Sequence, residues 1–361
     1  MRAWLLLGIC TTTLVQADVA LNEAASIHLY GDTRFRFESE RDSVVGRADR
    51  TRVRLTQRLG LRWEPSAHWE VNVRARTGTF ENQNTPTITL IRFDDNAIPD
   101  RDVFADRYFL RYQRAGWRLT TGRQGFPYRF VTDYFWDRDV DPTGIHLAKT
   151  WRPGNARLTL AASYFRLPDG SIKLHGDLWS AQAEWQQPVP LGTLRFQFSG
   201  HRFGGRPDPQ NLTELTGERD YFVLVGSARL ERTLVGAPAW LGFDGIVNVQ
   251  DYSGIADDPV IAQFSDDVFA FGLGASWGEN RQRGDLRLRY NYAYVESLAV
   301  NEEYAQDTLS RFGRSNIKGH DFRAIVSLAS SLTVMARLSL TEQIIGPEQG
   351  VRFRIDTTWR F

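Results

Sequence analysis

The chain of 361 residues contains one cysteine, Cys10, and only two methionines. A single cysteine cannot form an intramolecular disulfide, so the fold needs another source of stability, such as a large core or a closed sheet. Long apolar runs are missing too. After residue 17 no stretch reaches the roughly 18 apolar residues that a spanning helix needs, which excludes a helical membrane protein.

Residues 1–17 have the pattern of a secretory signal peptide. Arg2 is followed by an apolar stretch, and Val15 and Ala17 are small residues at the −3 and −1 positions of a cleavage site. Ile9 before Cys10 does not suit a lipoprotein signal, for which a small residue is expected. We therefore predict export, cleavage after Ala17, and one mature domain of residues 18–361.

The overall composition combines features of membrane and soluble proteins. Charged residues make up 24% of the chain and the mean hydropathy is −0.38, yet aromatic residues reach 12%, with 22 Phe and 11 Trp. A transmembrane barrel reconciles these values, because alternate residues of each strand face water and lipid. Composition alone thus favours strands that cross a membrane.

Alternation with a period of two is clearest between Thr51 and Trp63. Even positions from Arg52 to Arg62 carry four arginines, whereas odd positions carry mainly apolar side chains. A strand separates the two classes onto opposite faces, and a helix would mix them. Sixteen segments have this pattern, the first at Ile27–Glu38 and the last at Gln349–Phe361.

The connections between these segments alternate in length. Short ones such as Ala115-Gly116 are followed by long ones such as Phe126–Thr143 and Arg166–Asp177. This alternation is typical of a barrel with periplasmic turns and extracellular loops. We predict an all-β fold, an antiparallel transmembrane β-barrel of about 16 strands.

Arginines dominate the predicted inner face. Those of the first strands are expected to line the pore and favour anions: Arg34, Arg36, Arg52, Arg54, Arg58, Arg62, Arg74, Arg76, Arg107 and Arg111. The alternative is that they form ladders with carboxylates and tyrosines that stiffen the wall. Fewer inward carboxylates are expected, at Asp32, Glu38, Glu70, Glu184, Asp285 and Asp356.

The third long connection, Phe126–Thr143, is rich in aromatic residues and is too apolar for a solvated loop. We predict that it folds into the barrel and constricts the pore. Its charged residues are Arg129, Asp133, Asp137, Arg138, Asp139 and Asp141. Spacing of the last three aspartates imitates a calcium loop, but Pro142 occupies the position where such a loop needs glycine.

Several motifs resemble those of the putative porin family of proteobacteria. They are Asp106-Arg107-Tyr108, Gly122-Arg123-Gln124 with Phe126-Pro127, and Trp136-Asp137-Arg138-Asp139. Tyr108 stands where the family usually has alanine followed by tyrosine. The resemblance implies a sixteen-strand porin and assigns no substrate residue. Phe361, on an alternating strand, resembles the C-terminal aromatic signature that directs assembly of outer-membrane barrels.

Three functions are compatible with such a barrel. We predict a passive porin for small hydrophilic or anionic solutes, with a barrel enzyme and a plugged scaffold or adhesin as alternatives. The six histidines lie in no catalytic motif. We expect no cofactor and no nucleic-acid partner. The expected partners are outer-membrane lipid, lipopolysaccharide, the barrel-assembly machinery and two further copies in a homotrimer.

Overall fold

A computed structural model describes residues 18–22, 25–44, 47–79, 82–93, 101–170, 173–204, 219–255 and 257–361. The signal-peptide segment lies outside these ranges. Strands account for most of the described chain, and α1, residues Pro259–Phe264, is short. The strands are β1 Asp18–Asn22, β2 Ala25–Asp42, β3 Arg50–Ser66, β4 Trp69–Gly78, β5 Ile88–Arg92, β6 Asp102–Arg114, β7 Trp117–Arg123, β8 Thr143–Trp151, β9 Arg157–Asp169, β10 Lys173–Val189, β11 Gly192–Gly204, β12 Tyr221–Leu234, β13 Ala237–Asn248, β14 Phe269–Gly278, β15 Leu286–Val295, β16 Ile317–Ser327, β17 Leu332–Gln343 and β18 Gln349–Arg360.

Sixteen of these strands form a closed antiparallel barrel. Starting at β2, each barrel strand pairs with the next, β4 pairs with β6, and β18 returns to pair with β2. The remaining two are short. β1 pairs with the start of β2, and β5 pairs with β3 at Arg52–Leu55. The predicted fold class and strand number are confirmed.

Side chains alternate between the two faces of the wall as predicted. On β2, Phe35 and Phe37 are exposed on the outside, whereas Arg36, Glu38 and Glu40 are buried on the inside. An outer face of this kind buries its apolar area only against lipid. Within the described ranges, no helix is both long enough and apolar enough to cross a bilayer.

The two ends of the barrel differ. Tight connections such as residues 115–116 define the turn end, and the opposite end, with residues 124–142 and 296–316, is the loop end. One predicted long loop is wrong: β9 and β10 continue to pair beyond Arg166–Asp177, and only residues 170–172 connect them. Their pairing satisfies backbone groups that a loop would leave to solvent.

A bulge interrupts the pairing of β4 with β6. Arg74 lies opposite Arg107 and Ala75 opposite Ala105, so Asp106 has no partner residue on β4. An extra residue shifts the alternation by one position. Consequently Asp106 and Arg107, although neighbours in sequence, both direct their side chains to charged groups inside the barrel.

Candidate functional site: the lumen

The inner faces of β18, β2, β3, β4 and β6 form an arginine wall. Its centre is Glu38, which is fully buried and lies 2.5 Å from Arg52, 2.7 Å from Arg354 and 3.4 Å from Arg54. Beside it, Arg36 Nε donates to Asp356 Oδ1 at 2.6 Å. Buried ions require such partners, because an isolated charge in this environment is costly.

The ten arginines predicted to line the pore have different surroundings. Arg36, Arg52, Arg54 and Arg76 are under 9% exposed, and the others are more accessible. Arg62 pairs with Glu64, and Arg111 pairs with Glu70. Arg34 donates to the hydroxyl groups of Thr56 and Thr87. The buried arginines pair with carboxylates, as expected if they stiffen the wall. The effect of all ten arginines on ion selectivity stays a prediction.

Some inward carboxylates escaped the sequence analysis. Glu40, Asp106, Asp244 and Asp321 are at most 1% exposed and accept from inward partners. Period-two positions could have revealed Glu40, Asp244 and Asp321, but not Asp106, because the bulge takes it out of the alternation that places Arg107 and Arg111 inside. Asp285, by contrast, is not a wall residue: it lies in the turn before β15 and accepts from the amides of Arg281 and Gln282.

The segment of residues 124–142, here the inward loop, crosses the lumen. Near its start, the Tyr128 hydroxyl donates to Ser163 Oγ at 2.8 Å. The side-chain amide of Gln182 accepts from the backbone N–H of Arg129 and donates to its carbonyl. Its tip reaches β13, where Asp244 accepts from the amides of Val131 and Thr132. These contacts tie one loop to strands on separate parts of the wall.

Glycines make room for the tip of the inward loop. A Cβ built on Gly272 would lie 2.7 Å from Thr132 and Tyr134, and one on Gly274 or Gly242 would lie 3.1 Å from Val131. A real side chain at Gly272 could not keep that distance, so the loop approaches the backbone of β14 more closely than a larger residue permits.

The far side of the inward loop contacts the arginine wall. Arg58 donates to Asp139 at 2.7 Å, Arg107 donates to Asp141 at 2.8 Å, and Arg76 donates to the carbonyl of Asp139. Burial opposes ionisation of Asp139, but Arg58 and Arg34 outweigh it and hold its pKa below the ordinary value. The loop thus supplies anions that the wall arginines require.

Asp137 lies where the inward loop meets the segment of residues 296–316, here the cap loop. Its amide donates to the Tyr304 carbonyl at 2.8 Å, and the Asp307 amide donates to its Oδ2 at 3.3 Å. Burial raises the pKa of the Asp137 carboxyl well above its ordinary value, and the carboxylates of Asp307 and Asp139 raise it further. The junction therefore favours protonated Asp137.

Apolar side chains fill the loop end on the other side. The parts of the inner faces of β9 to β16 that lie at the loop end form an apolar wall, which includes Phe165, Phe203 and Tyr221. This wall packs on Phe135 and Trp136 of the inward loop. Trp136 stacks on Tyr304 of the cap loop with ring centroids 5.6 Å apart. A hydrophobic core therefore lies inside the barrel, above the lumen of the turn end.

Two cavities lie between the inward loop and the turn end. The larger, about 920 Å³, is lined by seven arginines and three carboxylates: Arg62, Arg107, Arg111, Arg129, Arg138, Arg195, Arg229, Glu70, Asp133 and Glu231. The smaller, about 580 Å³, is lined by five arginines and Glu184. Each cavity thus has an excess of four formal positive charges. Arg129 borders both.

Other predicted features have defined surroundings. Asp133 pairs with the exposed Arg138 at 2.8 Å. Within the described ranges, no group of histidine, cysteine and acidic residues is arranged to hold a metal ion. Phe361 exchanges backbone hydrogen bonds with Gly31 on β2, 2.9 and 3.1 Å long. Its part in assembly stays a prediction.

Comparison with known proteins agrees with this architecture. Residues 19–166 match the family model described as "Putative porin". The predicted family resemblance is confirmed. This porin model spans the motifs that carried the resemblance, from Asp106 to Asp139. No curated relative matches the chain.

Solved porins share the fold. The chain is similar to OmpF of Salmonella typhi in complex with daunomycin, with a TM-score of 0.56 and 10% identity; the alignment covers 96% of this chain and all of OmpF. It is also similar to OprB of Pseudomonas putida at low pH, with a TM-score of 0.55 and 10% identity; the alignment covers 93% of this chain and 92% of OprB. Family match and fold together support a porin channel of the outer membrane.

Proposed function

We propose that this porin is a passive diffusion channel for small hydrophilic solutes and that it prefers anions. The observation that carries the proposal is the charge of the two cavities at the turn end, which have twelve arginine positions against four carboxylates, Arg129 being counted in both. Fixed charges of one sign in a narrow aqueous space concentrate ions of the other sign. The buried arginines around Glu38 contribute less, because their charge is largely neutralised by adjacent carboxylates.

Charge reversal inside the larger cavity tests the preference. We expect Arg62→Glu with Arg129→Glu to shift the reversal potential toward cations in a dilute salt gradient. The shift should fade toward molar salt, since screening shortens from about 10 Å at 0.1 M to about 3 Å at 1 M. Arg281→Glu, on an exposed turn, is the control. An unchanged reversal potential in a folded double variant would refute the proposed preference.

A plugged barrel is a second candidate, favoured by a specific observation. The inward loop and the cap loop share a hydrophobic core with the wall at the loop end, and Asn84 from a third loop donates to the Ala305 carbonyl of the cap loop. Conductance in a planar bilayer separates the two functions. Folded protein that never conducts ions would favour the scaffold.

An enzyme remains the third possibility. His146 Nδ1 lies 2.9 Å from Ser163 Oγ, but this pair faces the lumen and Tyr128 donates to the same hydroxyl. A lipase acting on membrane lipid would need such a pair on the lipid face. We propose a channel rather than an enzyme, and a lipase or protease assay on folded protein tests this choice.

The setting of the channel is also part of the proposal. A signal peptide of residues 1–17, insertion by the barrel-assembly machinery and contact with lipid and lipopolysaccharide follow from an outer-membrane porin. A homotrimer is the expected assembly, and sedimentation in detergent tests it.

A further inference from the structure

The smaller cavity contains arginines that have no protein partner. Its lining includes Arg118 at the start of β7, Arg157 at the start of β9 and Arg129 of the inward loop. Among the described residues, none accepts a hydrogen bond or forms an ion pair with the guanidinium group of any of these three. The buried Nε of Arg157 has no acceptor. Arg118 and Arg129 are exposed to the space of this cavity and Arg157 is half-buried, so the three guanidinium groups face water rather than a protein acceptor.

These guanidinium groups also repel one another. Arg118 is repelled by Arg111, Arg129 and Arg157, whereas Glu70, which attracts it, already pairs with Arg111. Glu184, the one carboxylate of the lining, accepts from Gln197 and contacts Arg195. The local carboxylates therefore serve other cations, and the repulsion within the cluster remains unrelieved by the protein.

The fold holds these arginines in place. Arg118 and Arg157 are on paired strands of the wall, on either side of β8. On the loop, Arg129 N donates to Gln182 Oε1 at 3.3 Å and Gln182 Nε2 donates to Arg129 O at 3.0 Å, which fixes the backbone from which the side chain extends. The backbones of the three arginines are thus fixed around a space that opens to the turn end, and a ligand that enters from there can reach their side chains.

We propose that Arg118, Arg129 and Arg157 form a binding site for a doubly charged oxyanion of the phosphate class, at the turn end of the lumen. Guanidinium groups match tetrahedral oxyanions because each can donate two parallel hydrogen bonds. Several converging arginines favour a dianion over chloride, since each guanidinium gains more from the higher charge. The site deepens the proposed function, because it names a solute class that the channel retains at one entrance.

Titration of folded, detergent-solubilised barrel with inorganic phosphate in chloride buffer tests the site. Isothermal calorimetry should detect saturable binding to the unaltered protein. We expect Arg118→Gln to weaken it about tenfold, and Arg118→Gln with Arg157→Gln by considerably more, as for lost hydrogen bonds to a charged ligand. Arg287→Gln is the matched control, an inward arginine outside both cavities whose Nε donates to Ser276. It should bind phosphate as the unaltered protein does.

The outcomes for the site and for the channel are separate. Saturable binding that the double variant loses supports the site, whether or not the barrel conducts in a bilayer. Absence of saturable binding in a barrel that conducts would overturn the site and leave the channel proposal standing. Equal binding by the double variant and the Arg287→Gln control would also overturn it. Heat-dependent gel migration verifies that every variant is folded.

Discussion

The inward loop is held between two walls of opposite character. The arginine wall, formed by β18, β2, β3, β4 and β6, contacts it through ion pairs such as Arg58–Asp139 and Arg107–Asp141. The apolar wall, formed by β9 to β16, contacts it through aromatic rings and through the glycine positions that admit its tip. One wall therefore depends on matched charge, and the other depends on matched shape.

The difference shows how each wall can fail. In the arginine wall, removing one carboxylate takes an anion away from several buried cations at once, and the cost exceeds that of a lost contact. In the apolar wall, an added methyl group meets backbone and side-chain atoms that have little room to move. Single substitutions can therefore test the two walls separately.

The largest effect is expected when the centre of the arginine wall is neutralised. Glu38→Gln removes the carboxylate shared by Arg52, Arg54 and Arg354, and should lower the free energy of unfolding by about 3–5 kcal/mol. Urea unfolding followed by circular dichroism measures it. The control is Glu64→Gln, at a half-exposed pair with Arg62, which should change stability by less than about 1 kcal/mol. Equal losses in the two variants would contradict the proposed importance of Glu38.

A smaller effect is expected at the apolar wall. Gly272→Ala places a Cβ against Thr132 and Tyr134 and should cost about 1–3 kcal/mol or displace the tip of the inward loop. Displacement should raise single-channel conductance. Gly226→Ala on β12 is the matched control, because no atom lies within 4 Å of its added Cβ. If both variants behave alike, the tip does not depend on the glycine gap.

The junction with the cap loop should depend on pH. The pKa of Asp137 is raised above 3.8, so the contribution of its protonated form to stability is complete below that value and is lost as pH rises through the raised pKa. Asp137→Asn should remove this loss, so that the variant gains stability relative to the unaltered protein as pH rises.

Asp133 provides a control of opposite sign. Burial opposes its ionisation, but Arg138 and Arg289 outweigh burial and lower its pKa below 3.8. Its contribution is therefore present above that value and is lost as pH falls through the lowered pKa. Unfolding of Asp137→Asn and Asp133→Asn across the pH range should diverge in opposite directions. Parallel curves would argue against the assigned charges at the junction.

The smallest effect on stability is expected where the barrel closes, next to the arginine wall. Phe361 lies beside Trp359, with ring centroids 5.2 Å apart, and pairs with Gly31 through its backbone. Phe361→Ala should cost no more than about 1 kcal/mol, yet should lower the amount delivered to the outer membrane. Phe353→Ala, at an outward phenylalanine of β18, controls for lost lipid contact. Equal delivery of both variants would refute a special role for Phe361.

The two walls also differ in how far the sequence predicts them. Alternation identified the arginine wall, since Arg52, Arg54 and Arg58 fall on one face of a strand. On β12 the same rule does not predict which residues face inward. Tyr221, Val223 and Val225 face the inside, and the equally apolar Phe222 and Leu224 face lipid. Apolar residues on both faces give no signal of period two, and only the loop that covers the inner set explains them.

Pairing across the lumen was beyond the sequence for a related reason. The aromatic content of Phe126–Thr143 predicted an inward position, but not that Asp244, 112 residues after Thr132, would accept from its tip. Strand order and stagger decide which side chains meet across a barrel, and neither is encoded locally. The partnerless arginines of the smaller cavity were missed because an arginine looks the same in sequence whether or not a carboxylate faces it.

The bulge in β6 bears on which length changes this protein can tolerate. Most barrel strands should tolerate the substitution of a residue better than its deletion, because a deletion turns every following side chain of the strand to the opposite face. At Asp106 the chain already contains one residue more than its partner strand needs. Deleting Asp106 should therefore restore regular pairing and leave both flanks of β6 facing as they do now, at the cost of the carboxylate that Arg74 contacts. Deleting Leu110, only four positions later, should instead turn the side chains that follow it on β6 to the opposite face of the wall.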